Sequence, residues 1–339
     1  MENSKTKIKE IKAFLMDVYS FIYYFFHFSI DKFLFLMPAS SNALLNFFAG
    51  KSDIVVLMRI ERNFFKMKCI SIDLDGTLLN SEHEISEESE KVLNELKAQG
   101  HELILNTGRA LADVIQLKAV QNLEIPIFCI NGSVLYSRTK EMLYEATLPI
   151  STFKELLPIL KNLGAGILVY TNHGGFPSTL PPLKDKSKEE LDTFFHEYNY
   201  DKIFEQENLK IYKLIALVHN DQLEKVDEIK AALAGKFPIT MASSFPNNVE
   251  ITSGDAHKGK ALLKYKKMMG LSFDEIIAFG DGGNDLGQFE VANISVAMGN
   301  APLYVQEKAD LVTKTNDEDG FAYAVRHLLK LTNTPVGQH

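Results

Sequence analysis

Two aspartates one residue apart, Asp73 and Asp75, close a short apolar run and are followed at once by Gly76 and Thr77. Residues i and i+2 of an extended segment point to the same side. Past a strand end the chain turns, so two such carboxylates can address one site without being equivalent. Gly76 permits a tight turn. A carboxylate pair in that place can hold a divalent cation through hard oxygen ligands. One member can also attack an electrophile while the other handles a proton. Taken alone, the pair reads equally well as a solvated acidic turn, so the partners supplied by the rest of the chain decide.

The elements around the pair argue for a layered α/β sheet. Ser86, with Glu87 and Glu88 behind it, is an N-cap for a helix that stops at Gly100, with Val92, Leu93 and Leu96 as its buried stripe. Glu102–Asn106 reads as a strand and runs into Thr107-Gly108-Arg109; Leu111 to Val120 is helical. A third apolar run, Ile125–Ile130, ends in Asn131-Gly132-Ser133. Later, Lys258-Gly259 opens a helix that ends near Gly270. The strand Ile276–Phe279 then enters Gly280-Asp281-Gly282-Gly283-Asn284-Asp285, and two short strands and two helices follow as far as about Leu331. Alternating β and α predicts a parallel sheet with helices on both faces, and a site at the carboxyl ends of its strands. Asp73, Asp75, Thr107 and Asn131 all fall at such ends. Three glycines in a strand-to-helix turn with three polar side chains suit a metal and phosphate site.

Between about 149 and 249 the texture changes. Ser151 is expected to cap a helix running to Asn162. Strands are expected at 166–171, 211–218, 238–241 and 248–252, helices at 186–198 and 221–234, and a loop at 172–184. No phosphate-type motif appears there. The stretch reads as a separate α+β unit inserted between residues 67–148 and 250–332, with 333–339 as a tail.

Composition narrows the class. The chain has 339 residues, 46% hydrophobic and 24% charged, and a net charge of −8. That balance argues against a general nucleic-acid binder but admits a small phosphorylated substrate held by a few local cations. Cys69 and Cys129 are the two cysteines. Both lie in apolar runs, so a cytoplasmic setting is expected rather than a disulfide framework. No Cys/His spacing suggests zinc, and the sequence is silent on oligomeric state.

Residues 1–66 stand apart, with 14 of the 35 aromatics and a net charge of +3. Their most apolar window, Val18–Ile30, is shorter than the ~20 residues a spanning helix wants. No signal-peptide cleavage pattern follows it. An interfacial or partner-docking helix, and so membrane contact through residues 1–66, is one reading. The preferred one is an over-extended reading frame, with Met67 the natural start. Glu61–Lys66 can be encoded by a purine-rich, ribosome-binding-like stretch just before that methionine.

The ordered set D-L-D-G-T at 73–77, T-G-R at 107–109, K-G at 258–259 and G-D-G-G-N-D at 280–285 resembles the haloacid dehalogenase superfamily, and within it the Cof-type phosphatase branch. Asn131-Gly132, Ala297–Ala301 and Asn316–Gly320 strengthen the likeness, which covers about 67–331. It implies a Rossmann-like, doubly wound parallel core with residues 149–249 as an α/β cap domain. It implies a magnesium-dependent phosphatase for small phosphomonoesters, such as sugar phosphates or related metabolites. Asp73 would be the nucleophile and form an aspartyl-phosphate. Asp75 would carry the proton, with a pKa raised by its surroundings. Mg²⁺ would be held by Asp73, the carbonyl of Asp75 and Asp281, with Asp285 supporting that shell. Thr107, Lys258 and Asn284 would serve the phosphoryl group, with Gly108, Arg109, Asn131 and Gly132 as weaker substrate candidates. Substrate contacts from the cap are sought at 172–184 and 241–248. Two features depart from the branch pattern. Leu286-Gly287-Gln288-Phe289 replaces a run that commonly carries Met and is expected to alter packing rather than chemistry. Asp255-Ala256-His257 is an unusual lead-in to Lys258, and His257 is expected at the surface, an approach to substrate being the alternative. The competing readings are phosphomutase-type transfer and a membrane- or protein-associated module that uses residues 1–66.

Overall fold

The computed structural model of the chain describes residues 67–178, 187–273 and 275–332, without the Lys188 side chain. The expectations for residues 1–66, for 179–184 of the expected loop and for the 333–339 tail lie outside the described residues.

One sheet carries the motif loops. Strands β1 (Lys68–Ile72), β2 (Glu102–Asn106), β3 (Ile127–Cys129), β11 (Glu275–Gly280), β12 (Ile294–Ala297) and β13 (Leu311–Val312) pair in parallel in the order β13-β12-β11-β1-β2-β3. Near-continuous apolar runs suit these strands because both faces are covered. Ile70 and Ile72 point into one hydrophobic cluster, and Cys69 into the other, opposite one. Successive connections lead away from β1 toward β2 and away from β11 toward β12. The reversal between β1 and β11 opens a crevice at their carboxyl ends, where open α/β sheets bind ligands.

Helix α1 (Glu87–Ala98) starts at Ser86, whose side chain accepts from the Ser89 amide, and buries Val92, Leu93 and Leu96. The helix expected over 111–120 is instead two short pieces, α2 (Leu111–Val114) and α3 (Lys118–Gln121). Both Val114 and Val120 are buried in the same cluster. Six residues at 3.6 per turn would set them ~120° apart on a straight helix, so the break at Leu117 lets both face the core. The sheet also gains two antiparallel strands that the periodicity missed, β4 (Val134–Tyr136) beside β3 and β5 (Met142–Glu145) at the edge.

A second sheet has the order β7-β6-β8-β10-β9. Its strands are β6 (Gly166–Thr171), β7 (Gly174–Phe176), β8 (Ile211–Leu217), β9 (Ile239–Ala242) and β10 (Asn248–Ser253), all antiparallel. Helices α4 (Ile150–Asn162) and α6 (Glu224–Leu233) cover one face, with Phe153, Leu156, Leu160 and Ile229 packed on Val169, Leu214 and Ile251. Helix α5 (Lys188–Glu197) brings Phe194 and Phe195 to Leu168 and Ile215 on the opposite face. Three local expectations are corrected. Pro149, not Ser151, precedes α4: its carbonyl accepts the first helical bond from Phe153 at 3.0 Å, and Ser151 sits inside the first turn. The loop expected from 172 contains β7. Strand β10 runs across the expected boundary at 249/250 and pairs along its length with β8 and β9.

Candidate active site

The acidic turn begins where β1 ends. Asp73 keeps an extended backbone, and its amide donates to the Phe279 carbonyl of β11 at 3.0 Å. The chain then winds through one wide turn, Leu74–Leu78, closed by the Leu79 amide on the Leu74 carbonyl. Gly76 has φ +69°, and a Cβ there would lie 2.2 Å from Asp281 Oδ2. The glycine is therefore required twice, for its dihedral and for the close approach of Asp281.

Helix α7 (Lys258–Met268) delivers the cation. Lys258 Nζ donates to Asp73 Oδ1 at 2.6 Å and to Asp285 Oδ1 at 2.7 Å, with the lysine and both partners buried. Burial by itself would lower the pKa of this ammonium, but Asp285 and Asp73 outweigh it and hold it above the ordinary lysine value. Asp285 also accepts the amides of Asp281 and Gly282 at 3.0 and 2.9 Å, which fixes the glycine-rich loop after β11. Asp73, Asp281 and Asp285 each offer an oxygen within 4.8 Å of the others. Burial, then the charge of Asp285, raise Asp73 well above the carboxylate range and lift Asp281 to about 7. Three carboxylates with one ammonium among them leave a surplus of negative charge. A hard divalent cation fits that donor set.

The other motif residues fall around this cluster. Thr107 is buried at the end of β2, and its hydroxyl accepts from the Arg109 amide at 3.2 Å. Arg109 grips Asp75 with both arms, Nε to Oδ2 at 2.6 Å and the terminal nitrogen to Oδ1 at 2.5 Å. Asp75 is still 43% exposed, unlike Asp73. The two aspartates are thus unequal in environment. Asn284 donates to Asn131 at 3.2 Å. Gly132 packs on the start of α7, where a Cβ would meet the His257 carbonyl at 2.8 Å.

His257 is a correction: it is half-buried rather than a surface residue. It caps α7, its Nδ1 accepting from the amides of Gly259 and Lys260, and its ring packs against Gly287. Burial lowers its pKa, which keeps the ring neutral and able to accept.

Several residues to which the motif reading gave no role support the site; Asn300 and Asn316 lie in the stretches that strengthened the likeness, and Gln288 in the run that departed from it. Gln288 is fully buried and donates to Asp285 Oδ1 at 2.8 Å and to the Phe279 carbonyl at 3.0 Å, while accepting from Ser71 at 2.6 Å. Asn106 joins it and also donates to the Lys258 carbonyl at 3.2 Å. The 286–289 departure therefore carries polar support for the site and not packing alone. Asn300 donates to the Gly76 carbonyl at 2.9 Å and to Asp281 at 3.3 Å, and Asn316 to the Leu79 carbonyl at 2.9 Å. Asn106 and Gln288 were detectable as polar residues next to apolar runs; nothing in their spacing marked their partners.

The class that this fold and site define is reached independently by comparison. The family model for haloacid dehalogenase-like hydrolase matches residues 70–325. Phosphatase YwpJ of Bacillus subtilis is 30% identical over 287 residues, 78% of this chain and 100% of that protein. The 5-amino-6-(5-phospho-D-ribitylamino)uracil phosphatase YwtE of the same organism is 32% identical over 289 residues, 78% of this chain and 98% of its own. A solved haloacid dehalogenase-like hydrolase from B. subtilis superposes with TM-score 0.67 at 28% identity, covering 77% of this chain and 100% of that one.

The chain belongs to the haloacid dehalogenase-like hydrolases, in their Cof-type branch, and is an enzyme, a phosphoric monoester hydrolase. Among the described residues no helix is long and apolar enough to cross a membrane.

Proposed function

We propose that the chain is a magnesium-dependent phosphatase that hydrolyses small cytosolic phosphomonoesters through an aspartyl-phosphate on Asp73. The observation that carries this reading is the contact of the buried Asp73 carboxylate with Lys258 beside Asp281 and Asp285. One Asp73 oxygen attacks phosphorus, and the ester oxygen leaves with a proton from Asp75. Asp75 then takes a proton from the water that opens the acyl phosphate. Lys258 and Thr107 hold phosphoryl oxygens, and Asn284 lines the same side. Bound at Asp73, Asp281 and the Asp75 carbonyl, with Asp285 behind, Mg²⁺ would offset repulsion between anionic nucleophile and anionic substrate.

Arg109 bears on the proton step. Its fork occupies both oxygens of Asp75, so it must loosen whenever Asp75 passes a proton. Gly108, Asn131 and Gly132 shape the wall around the phosphoryl group. The 149–249 unit acts as the cap over the site and selects the leaving group. The relatives' names support small phosphorylated metabolites as the substrate class: one is a pyridoxal phosphate phosphatase of Escherichia coli, another a ribitylaminouracil phosphatase. A cytoplasmic setting agrees with the two buried, free cysteines.

A panel of phosphorylated metabolites with released phosphate as readout, with Mg²⁺ and with a chelator, tests the reading. Release that requires Mg²⁺ and no acceptor alcohol is expected. No release from any ester, or release only to an acceptor, contradicts it.

A further inference from the structure

Lys213 and Glu250 lie outside every motif, yet both are almost completely buried, with side chains 4% and 5% exposed. They sit on neighbouring strands β8 and β10 of the second sheet, where the alternation of side chains turns them away from the Leu214–Val249–Ile251 core. Lys213 Nζ is 3.5 Å from Glu250 Oε1 and 4.9 Å from the centre of the Tyr170 ring on β6. Removing an ion pair from water costs more than packing apolar residues of similar size, so such a pair is weak evidence for stability. Its other contacts explain it better.

Each member reaches across to a different motif loop of the first sheet. Lys213 Nζ donates to the Gly108 carbonyl at 3.0 Å, in the stretch between Thr107 and Arg109. Glu250 Oε2 accepts from the Asn131 side-chain amide, and its Oε1 accepts from Ser244 at 2.7 Å. The Asn131 oxygen in turn takes the Asn284 amide. The two loops are tied to each other by backbone bonds, Asn131 amide to Thr107 carbonyl at 3.0 Å and Ile130 amide to Arg109 carbonyl at 2.9 Å. Ile130 and Asn131 both have positive φ, +52° and +54°. A β-branched residue there is an outlier that persists only when its surroundings over-determine it. The Asn131 side chain, held from one side by Glu250 and from the other by Asn284, supplies that restraint.

We infer that Lys213 and Glu250 form a clasp through which the second sheet sets the loops bearing Thr107, Arg109, Asn131 and Asn284. They are positioning residues: they act on the reaction through Gly108 and Asn131. The inference rests on the proposed phosphatase reading and adds to it that the catalytic loops reach their working geometry only when the second sheet is seated on them. Small displacements of positioning groups cost up to about 10²-fold in rate.

The test uses the full-length, Mg²⁺-loaded enzyme with p-nitrophenyl phosphate, assayed at a fixed interval below each variant's own melting temperature. Lys213→Met removes the donor and leaves Glu250 buried without a cation. Lys213→Met combined with Glu250→Met leaves no unpaired charge. Lys213→Arg keeps a donor. The clasp requires kcat to fall about 10- to 100-fold in Lys213→Met, with KM moving by less than about threefold. It requires the double variant to regain thermal stability while kcat stays low, and Lys213→Arg to recover part of the rate. A double variant whose kcat returns with its stability assigns the pair a structural role and overturns the inference. So does a Lys213→Met enzyme within about twofold of wild type. A wild type that releases no phosphate from any ester sinks the phosphatase reading itself, a different result from an active wild type with indifferent variants.

Discussion

Lys258 Nζ donates to Asp73 Oδ1 at 2.6 Å across 185 residues of sequence, and the same nitrogen donates to Asp285. One ammonium therefore neutralises part of a group of three carboxylates, of which Asp73 and Asp285 are buried and Asp281 is partly exposed. Lys258→Met keeps the stem and removes the charge. Breaking a buried pair costs about 3–5 kcal/mol, so in chelator the variant is expected to unfold at markedly lower urea concentration. Mg²⁺ should restore part of the difference by supplying charge to the same carboxylates. A variant as stable as wild type in chelator would remove the electrostatic argument.

Gly76→Ala tests the turn. An L-residue at φ +69° costs about 1–2 kcal/mol, and its Cβ would overlap Asp281 Oδ2. Asp281 has to move, so the Mg²⁺ concentration for half-maximal activity should rise by about tenfold or more. An unchanged magnesium requirement would separate Asp281 from the cation.

Asp281 also sets a pH signature. Burial, and then Asp285, raise its pKa from 3.8 to about 7 in the folded protein. Between those values the folded form holds a proton that the unfolded form has lost, so stability falls as pH rises. Its contribution is full below about pH 4 and is lost as pH passes about 7. In chelator, the melting temperature of wild type minus that of Asp281→Asn should decrease across that window. Added Mg²⁺ should stabilise wild type more at pH 7.5 than at pH 5.5, because the cation binds the carboxylate. A flat difference, or equal stabilisation at both pH values, would contradict the assignment.

The Arg109 fork on Asp75 needs both arms. Arg109→Lys gives up one of two charge-assisted hydrogen bonds, worth about 1.5–3 kcal/mol. A loss of about tenfold or more in kcat, with an unchanged fold by circular dichroism, is expected. Full activity would show that Asp75 needs no such partner.

The motif loops were legible because strand ends, glycines and polar clusters leave local marks. Asp73, Thr107, Lys258 and Asp281 were grouped by the likeness of their ordered motifs to a known family; singly, each also read as an ordinary turn or surface residue. What stayed hidden depends on long-range contacts. Strands β4 and β5 are short, and their place depends on pairing: β4 is held by β3, and β5 closes the sheet by pairing with β4. The break at Leu117 is forced by the need to bury Val114 and Val120 together. His257 read as a surface residue because Gly287, whose missing side chain makes room for the ring, lies 30 residues away. Lys213 and Glu250 did leave a trace, a charge in the middle of each of two apolar strands. That alternation separates the face of the second sheet under α4 and α6 from the face that carries Lys213 and Glu250.

The most direct test of the account is to trap the intermediate. Asp75→Asn should slow the opening of the acyl phosphate. The variant, incubated with Mg²⁺ and p-nitrophenyl phosphate, whose leaving group needs no proton from residue 75, then quenched in acid and peptide-mapped by mass spectrometry, should carry one phosphoryl group on Asp73. Asp73→Asn should carry none and should lose at least about 10³-fold in phosphate release. A phosphoryl group on any other residue, or an Asp73→Asn enzyme that still turns over, would contradict the assignment of Asp73 as nucleophile.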